Sequence, residues 1–285
     1  MEKLDARVNA FRPDLADENL RGQVEAQRFV KGVARQINAP AANILKRPEK
    51  DSPQTSQALM GELCHVFEEQ GGFAWVQMVA DHYVGYVDAA ALSATISTPT
   101  HRVSVPSTLL FPLADLKSHP VQFLHMNARL QVLRTEGAYA AIAGGGFIYA
   151  KHLAPLTEYE PDFVSVAERF LHAPYYWGGK TVRGLDCSGL VQSALHACGI
   201  ESPRDSDMQE KNLGAVVKGD ALQRGDLVFW SGHVGIMQSH TQLLHANGHS
   251  MMVTSEPLTI AIARSEKPVS SVRRLSAQYH IVAAK

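Results

Sequence analysis

The sequence has few cysteines and no long apolar stretch. It contains three cysteines in 285 residues, a small and odd number that does not fit the disulfide framework of a small secreted protein. No run of 18 apolar residues occurs, so we expect no membrane-spanning helix. Charged residues are closely spaced through the first 30 positions and leave no room for the apolar core of a secretion signal. These absences predict a cytoplasmic protein.

Neither sign of charge is in excess. The 27 lysine and arginine residues nearly balance 28 aspartate and glutamate residues, which gives a formal net charge of −1. A balanced chain has no electrostatic field that would attract nucleic acid or an anionic membrane surface, and we predict neither partner. With 45% hydrophobic and 19% charged residues the composition is that of a globular protein, and its length fits two or three domains.

Two stretches in the first half resemble each other. Leu59–Leu92 and Leu124–Pro155 both contain short alternating strands separated by glycine-rich turns, without a helical period. Each stretch fits a small β-barrel, and we place the two barrels at residues 46–95 and 96–156. Residues 1–45 show a mixed pattern and are predicted to form an N-terminal arm.

Residues 157–285 are predicted to form an α+β domain. Glycine and aromatic residues before Cys187 indicate a loop, and apolar residues recur at helical spacing after it. This change of pattern predicts a helix that begins at or just after Cys187. Gly199 lies where the residue that ends such a helix is expected. The later segments LVFW, HVGIM and QLLHA are typical of strands. The pattern favours a helix packed on an antiparallel sheet.

Cys187 is the candidate nucleophile. A thiol at a helix N-terminus faces unpaired N–H groups and the positive end of the helix dipole, which lower its pKa and can stabilise an oxyanion. Cys198 lies late in the same helix on its apolar stripe, where a packing role is expected. This contrast makes Cys187 the reactive cysteine.

Two histidines, His233 and His245, lie in the predicted strands that follow this helix. With a three-residue turn at Gln238–His240, His233 stands directly opposite His245 on one face of a hairpin. One histidine could then serve as the base for Cys187 while the other holds it in place. A slip of one residue would place the two side chains on opposite faces. A zinc site formed by these histidines and His249 is disfavoured, because no cysteine pair or HExxH spacing accompanies them.

Five short motifs follow one another in the second half. They are Tyr175–Gly179, Asp186–Gly189, Pro203–Ser206 with Gln209, Gly225–Trp230 and His233–Ile236. As a set they resemble the NlpC-type, papain-like cysteine peptidases that cut bacterial cell-wall peptides, over residues 163–275. The resemblance implies a papain-like catalytic domain in which Cys187 is the nucleophile, His233 the general base and His245 the orienting residue. It implies no metal and no organic cofactor.

With two bacterial SH3-like barrels ahead of such a domain, the chain resembles a narrower group, the γ-D-glutamyl-diamino-acid endopeptidases (dipeptidyl-peptidase VI type) of murein-peptide recycling. In that group the first barrel narrows the active site and admits peptides with a free N-terminal L-Ala. The resemblance implies that Glu62 contacts the substrate amine, with Tyr83, or alternatively Tyr86, as its aromatic partner. The substrate contacts that it implies in the catalytic domain are Tyr175, Asp186, Ser188 and Ser206.

These substrate contacts have plain structural alternatives. Glu62 also fits an ordinary surface carboxylate at a strand start, and Asp186 fits a cap for the Cys187 helix. Tyr175 fits a packing residue, and Ser206 fits the N-cap of a following helical turn. Both interpretations stay open for each residue at this point.

The function predicted from the sequence is hydrolysis of the isopeptide bond between γ-D-Glu and a diamino acid. The predicted substrate is a small murein peptide such as L-Ala-γ-D-Glu-diaminopimelate. Two rival functions remain: a thiol amidase or acyltransferase that uses the same three residues, and a non-catalytic peptidoglycan-binding protein. The sequence leaves the diamino acid and the oligomeric state open.

Overall fold

The structure, a computed structural model, describes residues 4–219 and 221–275 of the chain. The chain divides after Leu153 into two units, Met1–Leu153 and Ala154–Lys285, whereas the sequence analysis places this boundary after residue 156. Strands predominate in both units, and helices are few. Within the described residues, no helix is long and apolar enough to cross a membrane.

A seven-stranded antiparallel sheet dominates the first part of the first unit. The strands in this part of the chain are β1 (Leu15–Asp17), β2 (Arg28–Val30), β3 (Val33–Ile37), β4 (Ala41–Leu45), β5 (Gln54–Leu59), β6 (Leu63–Gln70), β7 (Phe73–Met78), β8 (Val84–Asp88) and β9 (Leu92–Ser93), with short 3-10 helices at Glu18–Leu20 and Ala89–Ala91. β1 and β2 pair with each other in parallel, outside the seven-stranded sheet. The sheet has the order β5-β4-β8-β7-β6-β3-β9. Its buried core includes Ile37, Ile44 and Val76.

This sheet begins earlier in the chain than the sequence indicates. β3 and β4 lie within residues 1–45, which the sequence analysis assigns to an arm. In β3, Val33 is 52% exposed, whereas Gln36 is buried. The Gln36 amide donates to the carbonyl oxygen of Gly61 at 3.1 Å. A half-buried strand is predicted from buried apolar residues that alternate with exposed polar ones. An exposed valine and a buried glutamine break this alternation, so β3 was not predicted.

A second group of short strands completes the first unit. They are β10 (His101–Val103), β11 (Ser107–Leu110), β12 (Gln122–His125), β13 (Arg129–Leu130), β14 (Val132–Glu136), β15 (Tyr139–Ile142) and β16 (Phe147–Tyr149), followed by a 3-10 helix at Ala150–His152 and by β17 (Leu153–Pro155). β10 pairs with β13, β11 with β12, and β15 with both β14 and β16. Val103, Leu124 and Ile148 belong to a core of their own. That these short sheets form a second barrel stays a prediction.

The second unit combines a six-stranded antiparallel sheet with four helices in the residues described. Its elements are α1 (Phe163–Glu168), β18 (Lys180–Thr181), β19 (Gly184–Leu185), α2 (Cys187–Ala197), α3 (Ser206–Asn212), β20 (Ala215–Val216), β21 (Asp226–Trp230), β22 (His233–Met237), β23 (Gln242–Asn247), β24 (Met252–Pro257), α4 (Leu258–Arg264) and β25 (Val269–Arg274). The sheet has the order β20-β25-β21-β22-β23-β24. This arrangement matches the α+β pattern expected for the domain.

Helix α2 begins at Cys187, as the sequence predicts. The Asp186 side chain caps it by accepting a hydrogen bond from the N–H of Gly189 at 2.7 Å. Gly199 follows the last turn with a φ of +73°, a left-handed conformation that ends the helix. α2 is buried along nearly its whole length and packs against β22 and β23. The sheet therefore fixes the start of α2, and with it the thiol of Cys187.

Candidate active site

Asp186 and Arg204 form a buried ion pair beneath the start of α2. The guanidinium of Arg204 is 1% exposed, and its two terminal nitrogens donate to the two carboxylate oxygens of Asp186 at 3.0 and 2.7 Å. The same carboxylate accepts from the N–H groups of Gly178 and Gly189 at 2.8 and 2.7 Å. Asp186 therefore joins the aromatic–glycine loop to the helix that carries Cys187.

The other predicted substrate contacts of this unit lie near that ion pair. Ser188 is buried, donates to Asp186 at 3.3 Å and accepts from Arg204 at 2.9 Å. Tyr175 is half-buried, and the pKa of its hydroxyl is raised by burial and by the charges of Cys187 and Asp186. These observations place Tyr175 and Ser188 near Cys187 and Asp186. Contact with a substrate stays a prediction for both residues and for Asp186.

Ser206 is the first residue of α3 and is half-buried. The N-cap of this helix is Asp205, so the alternative interpretation of Ser206 as a cap is wrong. The cap moves by one residue because Asp205 has the extended backbone that precedes a helix, with φ −93° and ψ 145°. Substrate contact by Ser206 also stays a prediction.

The thiol of Cys187 is buried, with the residue 7% exposed. Burial and the charge of Asp186 raise its pKa to about 12, although the backbone N–H groups of Val234 and Ser188 oppose this rise. The sequence predicts a lowered pKa from the helix N-terminus. The loss of solvation exceeds that effect, because a thiolate here would lose most of its water. The N–H of Val234, which follows His233 in β22, places the thiol at the start of this strand.

His233 and His245 are in direct contact. Nε2 of His233 lies 2.8 Å from Nδ1 of His245, and the ring centroids are 5.1 Å apart. Burial, followed by the charges of His245 and Arg264, lowers the pKa of His233 to about 4. Burial also lowers the pKa of His245. At neutral pH both rings are therefore uncharged, and His233 is able to accept a proton.

The hairpin register that suggested this contact is wrong by two residues. Ile236 pairs with Leu244 and Met237 with Leu243, which places His233 diagonally from His245 and not directly opposite it. The turn is closed by a hydrogen bond from the N–H of Gln238 to the carbonyl of residue 242 at 2.8 Å, so its loop begins one residue later than predicted. A shift of two residues keeps both side chains on one face, and the rings span the diagonal.

Beyond His245, the site contains Glu256 and Arg264, which the sequence analysis missed. Nε2 of His245 lies 2.8 Å from a carboxylate oxygen of Glu256. Arg264 donates to both oxygens of this carboxylate and lowers its pKa to about 2. The signal was available in the hairpin: His245 pairs with Thr254, and Glu256 projects from the same face two residues later.

A cavity of about 210 Å³ lies beside the two histidines. Its lining includes Trp230, His233, His245, Arg264 and Lys267. Nζ of Lys267 donates to the carbonyl oxygen of Ser231 at 3.1 Å. In the described part of the chain no carboxylate pairs with this ammonium group. The cavity thus carries a positive charge next to the predicted general base.

The structure gives no support for the alternative zinc site. Among the described residues, no group of three or more histidine, cysteine, aspartate and glutamate side chains is arranged to hold a metal ion. Nε2 of His233 and Nδ1 of His245 already face each other, and Nε2 of His245 faces Glu256.

The first unit contains the predicted contacts for the substrate amine. Glu62 is buried, and its carboxylate accepts from the N–H of Leu59 at 2.8 Å, so its interpretation as an ordinary surface carboxylate is wrong. Tyr83 is 4% exposed in the core of the seven-stranded sheet. Tyr86 is half-buried and accepts from Arg12 at 2.9 Å. Their role towards a substrate stays a prediction.

Comparison with known proteins gives two family matches and several relatives. Residues 172–274 match the NlpC/P60 family, and residues 44–92 match the bacterial dipeptidyl-peptidase SH3 domain. The chain is 28% identical over 250 residues to the γ-D-glutamyl-L-lysine dipeptidyl-peptidase of Bacillus subtilis, covering 79% of this chain and 82% of the relative. The Bacillus cereus protein of the same name is 26% identical over 226 residues, covering 69% of this chain and 66% of the relative.

A solved structure shares the fold. The crystal structure of an NlpC/P60 family protein from Bacillus cereus matches with a TM-score of 0.74 and 20% identity, and the match covers 85% of this chain and 99% of that chain. The matched stretch of the family includes Cys187, His233 and His245.

Proposed function

Because this chain is a cysteine peptidase of the NlpC/P60 family that also carries a bacterial dipeptidyl-peptidase SH3 domain, we propose that it hydrolyses the bond between γ-D-Glu and a diamino acid in small murein peptides. The observation that carries this proposal is the contact of His233 with His245 at 2.8 Å beside the thiol at the start of α2. Relatives named as γ-D-glutamyl-L-lysine dipeptidyl-peptidases support the choice of bond. We place this activity in the cytoplasm, in the recycling of wall peptides.

In the proposed reaction the resting pair is a neutral thiol and a neutral imidazole. Burial raises the pKa of Cys187 and lowers that of His233, so the proton moves as the sulfur attacks. Sγ of Cys187 forms a bond to the γ-carbonyl carbon of D-Glu while Nδ1 of His233 accepts the thiol proton. The backbone N–H of Cys187 at the helix start stabilises the oxyanion.

The second half of the reaction returns the site to its resting state. His233 gives its proton to the leaving amine of the diamino acid, and the carbon–nitrogen bond breaks to leave a thioester on Cys187. Water then attacks this thioester while His233 accepts a proton from the water. That proton returns to the sulfur as the thioester breaks, and L-Ala-γ-D-Glu is released.

We place the leaving group in the cavity beside the histidines. His233 protonates the leaving amine, so the diamino acid must lie on the His233 side of the thiol. His233 lines the cavity, and Lys267 adds an ammonium group to its lining. An ammonium group stabilises a carboxylate through a charge-assisted hydrogen bond. The α-carboxylate of a diamino acid is therefore the group that we place in this cavity.

The test is a comparison of peptides by mass spectrometry. L-Ala-γ-D-Glu-diaminopimelate and L-Ala-γ-D-Glu-L-Lys are each supplied free, N-acetylated, and with the α-carboxylate of the diamino acid converted to an amide. We expect release of L-Ala-γ-D-Glu from free peptides, a raised KM for the α-amides, and no turnover by a Cys187→Ala variant. A variant with Cys198→Ala, at the buried residue that caps the C-terminus of α2, serves as the matched control and should keep its activity.

Other outcomes would redirect the proposal. Cleavage of the N-acetylated peptides would remove the free-amine requirement for which Glu62 is the predicted contact. Transfer of the acyl group to an added amine in preference to water would identify an acyltransferase. Tight binding to purified sacculi without any cleavage would favour a wall-binding protein and overturn the proposal.

A further inference from the structure

The imidazole of His245 is held at both of its nitrogens. Nδ1 lies 2.8 Å from Nε2 of His233. Nε2 lies 2.8 Å from a carboxylate oxygen of Glu256 and 3.0 Å from the amide nitrogen of Asn247. The ring is 3% exposed, so water does not compete for these contacts. Which nitrogen carries the proton is therefore decided by these three neighbours.

Glu256 and Asn247 favour opposite tautomers of His245. The Glu256 carboxylate is paired with Arg264 and is an acceptor only, so it requires a proton on Nε2. The Asn247 amide nitrogen is a donor only, so it favours a lone pair on Nε2. A charged acceptor makes the stronger hydrogen bond. Asn247 already has other partners, since it donates to Oγ1 of Thr254 at 2.9 Å. The hydrogen bond to the Glu256 carboxylate therefore determines the tautomer, and His245 carries its proton on Nε2.

This choice is passed on to His233. With its proton on Nε2, His245 presents a lone pair at Nδ1. Nε2 of His233 must then carry a proton to complete the 2.8 Å contact. A neutral imidazole has one N–H, so Nδ1 of His233 is left with the lone pair that a general base needs. The opposite tautomer would leave His233 with a proton on Nδ1 and no means of accepting the thiol proton.

We propose that Glu256, held by Arg264, is a positioning residue that fixes the tautomers of His245 and His233 so that the free lone pair of His233 faces Cys187. The inference rests on the role of His233 in the proposed function. Glu256 does not touch the substrate in this scheme, and it acts through the two rings.

The first test uses substitutions that exchange the neighbours of Nε2. Glu256→Leu removes the acceptor and leaves the Asn247 amide as the partner, which should invert both tautomers. We expect kcat to fall about 100-fold, the lower end of what a general base contributes, with KM little changed. Adding Asn247→Asp to this variant returns a carboxylate to Nε2 of His245 and should restore most of kcat.

A matched control is available in the same unit. Glu160 forms an exposed two-point ion pair with Arg169, and neither residue lines the cavity beside the histidines. Glu160→Leu removes a carboxylate of the same kind and should leave kcat unchanged. A fall in kcat caused only by loss of an ion pair would appear in both variants and would not be rescued by Asn247→Asp.

The second test reads the tautomers without any substrate. Long-range proton–nitrogen correlation spectra distinguish protonated from unprotonated ring nitrogens, and a His245→Asn variant assigns the signals. We expect the wild-type protein to carry a proton on Nε2 of His245 and on Nε2 of His233. In Glu256→Leu both protons should move to Nδ1, and in the double variant both should return.

The outcomes separate this inference from the proposed substrate. A wild-type spectrum with the His245 proton on Nδ1 overturns the inference, even if no variant folds well enough for kinetics. Wild-type kcat in Glu256→Leu, or a loss of kcat with unchanged tautomers, also overturns it. Failure of the wild-type enzyme to cleave the proposed peptides would overturn the substrate, while the spectra would still report the tautomers.

Discussion

At Cys187, two opposing effects act on one thiol. The N–H groups of Ser188 and Val234 stabilise the thiolate, and burial together with the charge of Asp186 destabilises it. The balance favours the neutral thiol, and the low pKa of His233 favours a neutral ring. In the proposed mechanism the thiol is therefore activated at the moment of attack, when its proton passes to His233, and not in the resting enzyme.

This balance predicts how Cys187 reacts with iodoacetamide. Because the thiolate is the reactive form and the pKa of Cys187 is raised to about 12, the thiolate fraction grows about tenfold per pH unit throughout the neutral range. The alkylation rate, measured by mass spectrometry, should rise from pH 6 to 9 without a plateau. A Cys187→Ser variant identifies the signal. A rate that is flat across neutral pH would show a preformed thiolate and contradict the prediction.

At the scale of single elements, α2 depends on the ion pair beneath it. Arg204 neutralises Asp186, and Asp186 caps the helix and binds Gly178. Removing one partner from a buried pair leaves the other charge without compensation, which is far more costly than losing an exposed pair. The position of Cys187 and the stability of the second unit therefore both depend on Arg204.

An Arg204→Met variant tests this dependence. We expect the free energy of unfolding to fall by about 3–5 kcal/mol, because Asp186 stays buried and charged. Adding Asp186→Asn should recover part of this loss, since an amide needs no counter-charge. The matched control is Arg224→Met, which breaks more exposed pairs with Asp162 and Glu168 and should cost less than about 1 kcal/mol. Urea denaturation followed by tryptophan fluorescence measures all four proteins; equal losses would contradict the prediction.

The elements also show what the sequence could and could not give. Helix α2 was predictable because its periodicity, its cap at Asp186 and its terminal glycine all agree. β3 was not, because it buries Gln36 and exposes Val33. The hairpin turn was placed one residue early, since Ser239, His240 and Thr241 carry no strong turn signal. The contact between His233 and His245 was still found, because an error of two residues preserves the face of a strand.

The site residues divide in a similar way. Cys187, His233 and His245 were predictable because thiols and imidazoles are typical catalytic groups. A short turn also links the two strands that carry the histidines. Arg204 and Glu256 act through partners that lie 18 and 11 residues away in the chain. The roles of Arg204 and Glu256 depend on burial and on a hydrogen-bond geometry that the folded sheet creates. The local sequence around each residue predicts neither of these.

For the molecule as a whole, buried neutral histidines link stability to pH. The folded pKa of His233 is about 4, below the value of about 6.5 expected for an unfolded chain. Between these two values the unfolded state binds a proton that the folded state does not. The free energy of unfolding therefore decreases as the pH falls below about 6.5, and the full loss from this group is reached below about 4.

This dependence predicts a difference between two proteins. The stability of the wild-type chain, measured by urea denaturation, should fall between pH 7 and pH 5. A His233→Gln variant keeps a polar side chain but has no proton to bind, so its stability should fall less over the same range. His240→Gln, at an exposed turn position, is the control and should follow the wild type. Parallel curves for all three proteins would contradict the buried neutral state.

Concealment of the thiols has a consequence for oxidative damage. All three cysteines are buried and none is in a disulfide within the described residues, and burial raises the pKa of both Cys64 and Cys187. Peroxide converts a thiolate to a sulfenic acid, and the sites most open to it are exposed and of low pKa. A thiol that stays protonated until the proposed attack would therefore resist oxidation during a burst of peroxide, without a disulfide partner to shield it.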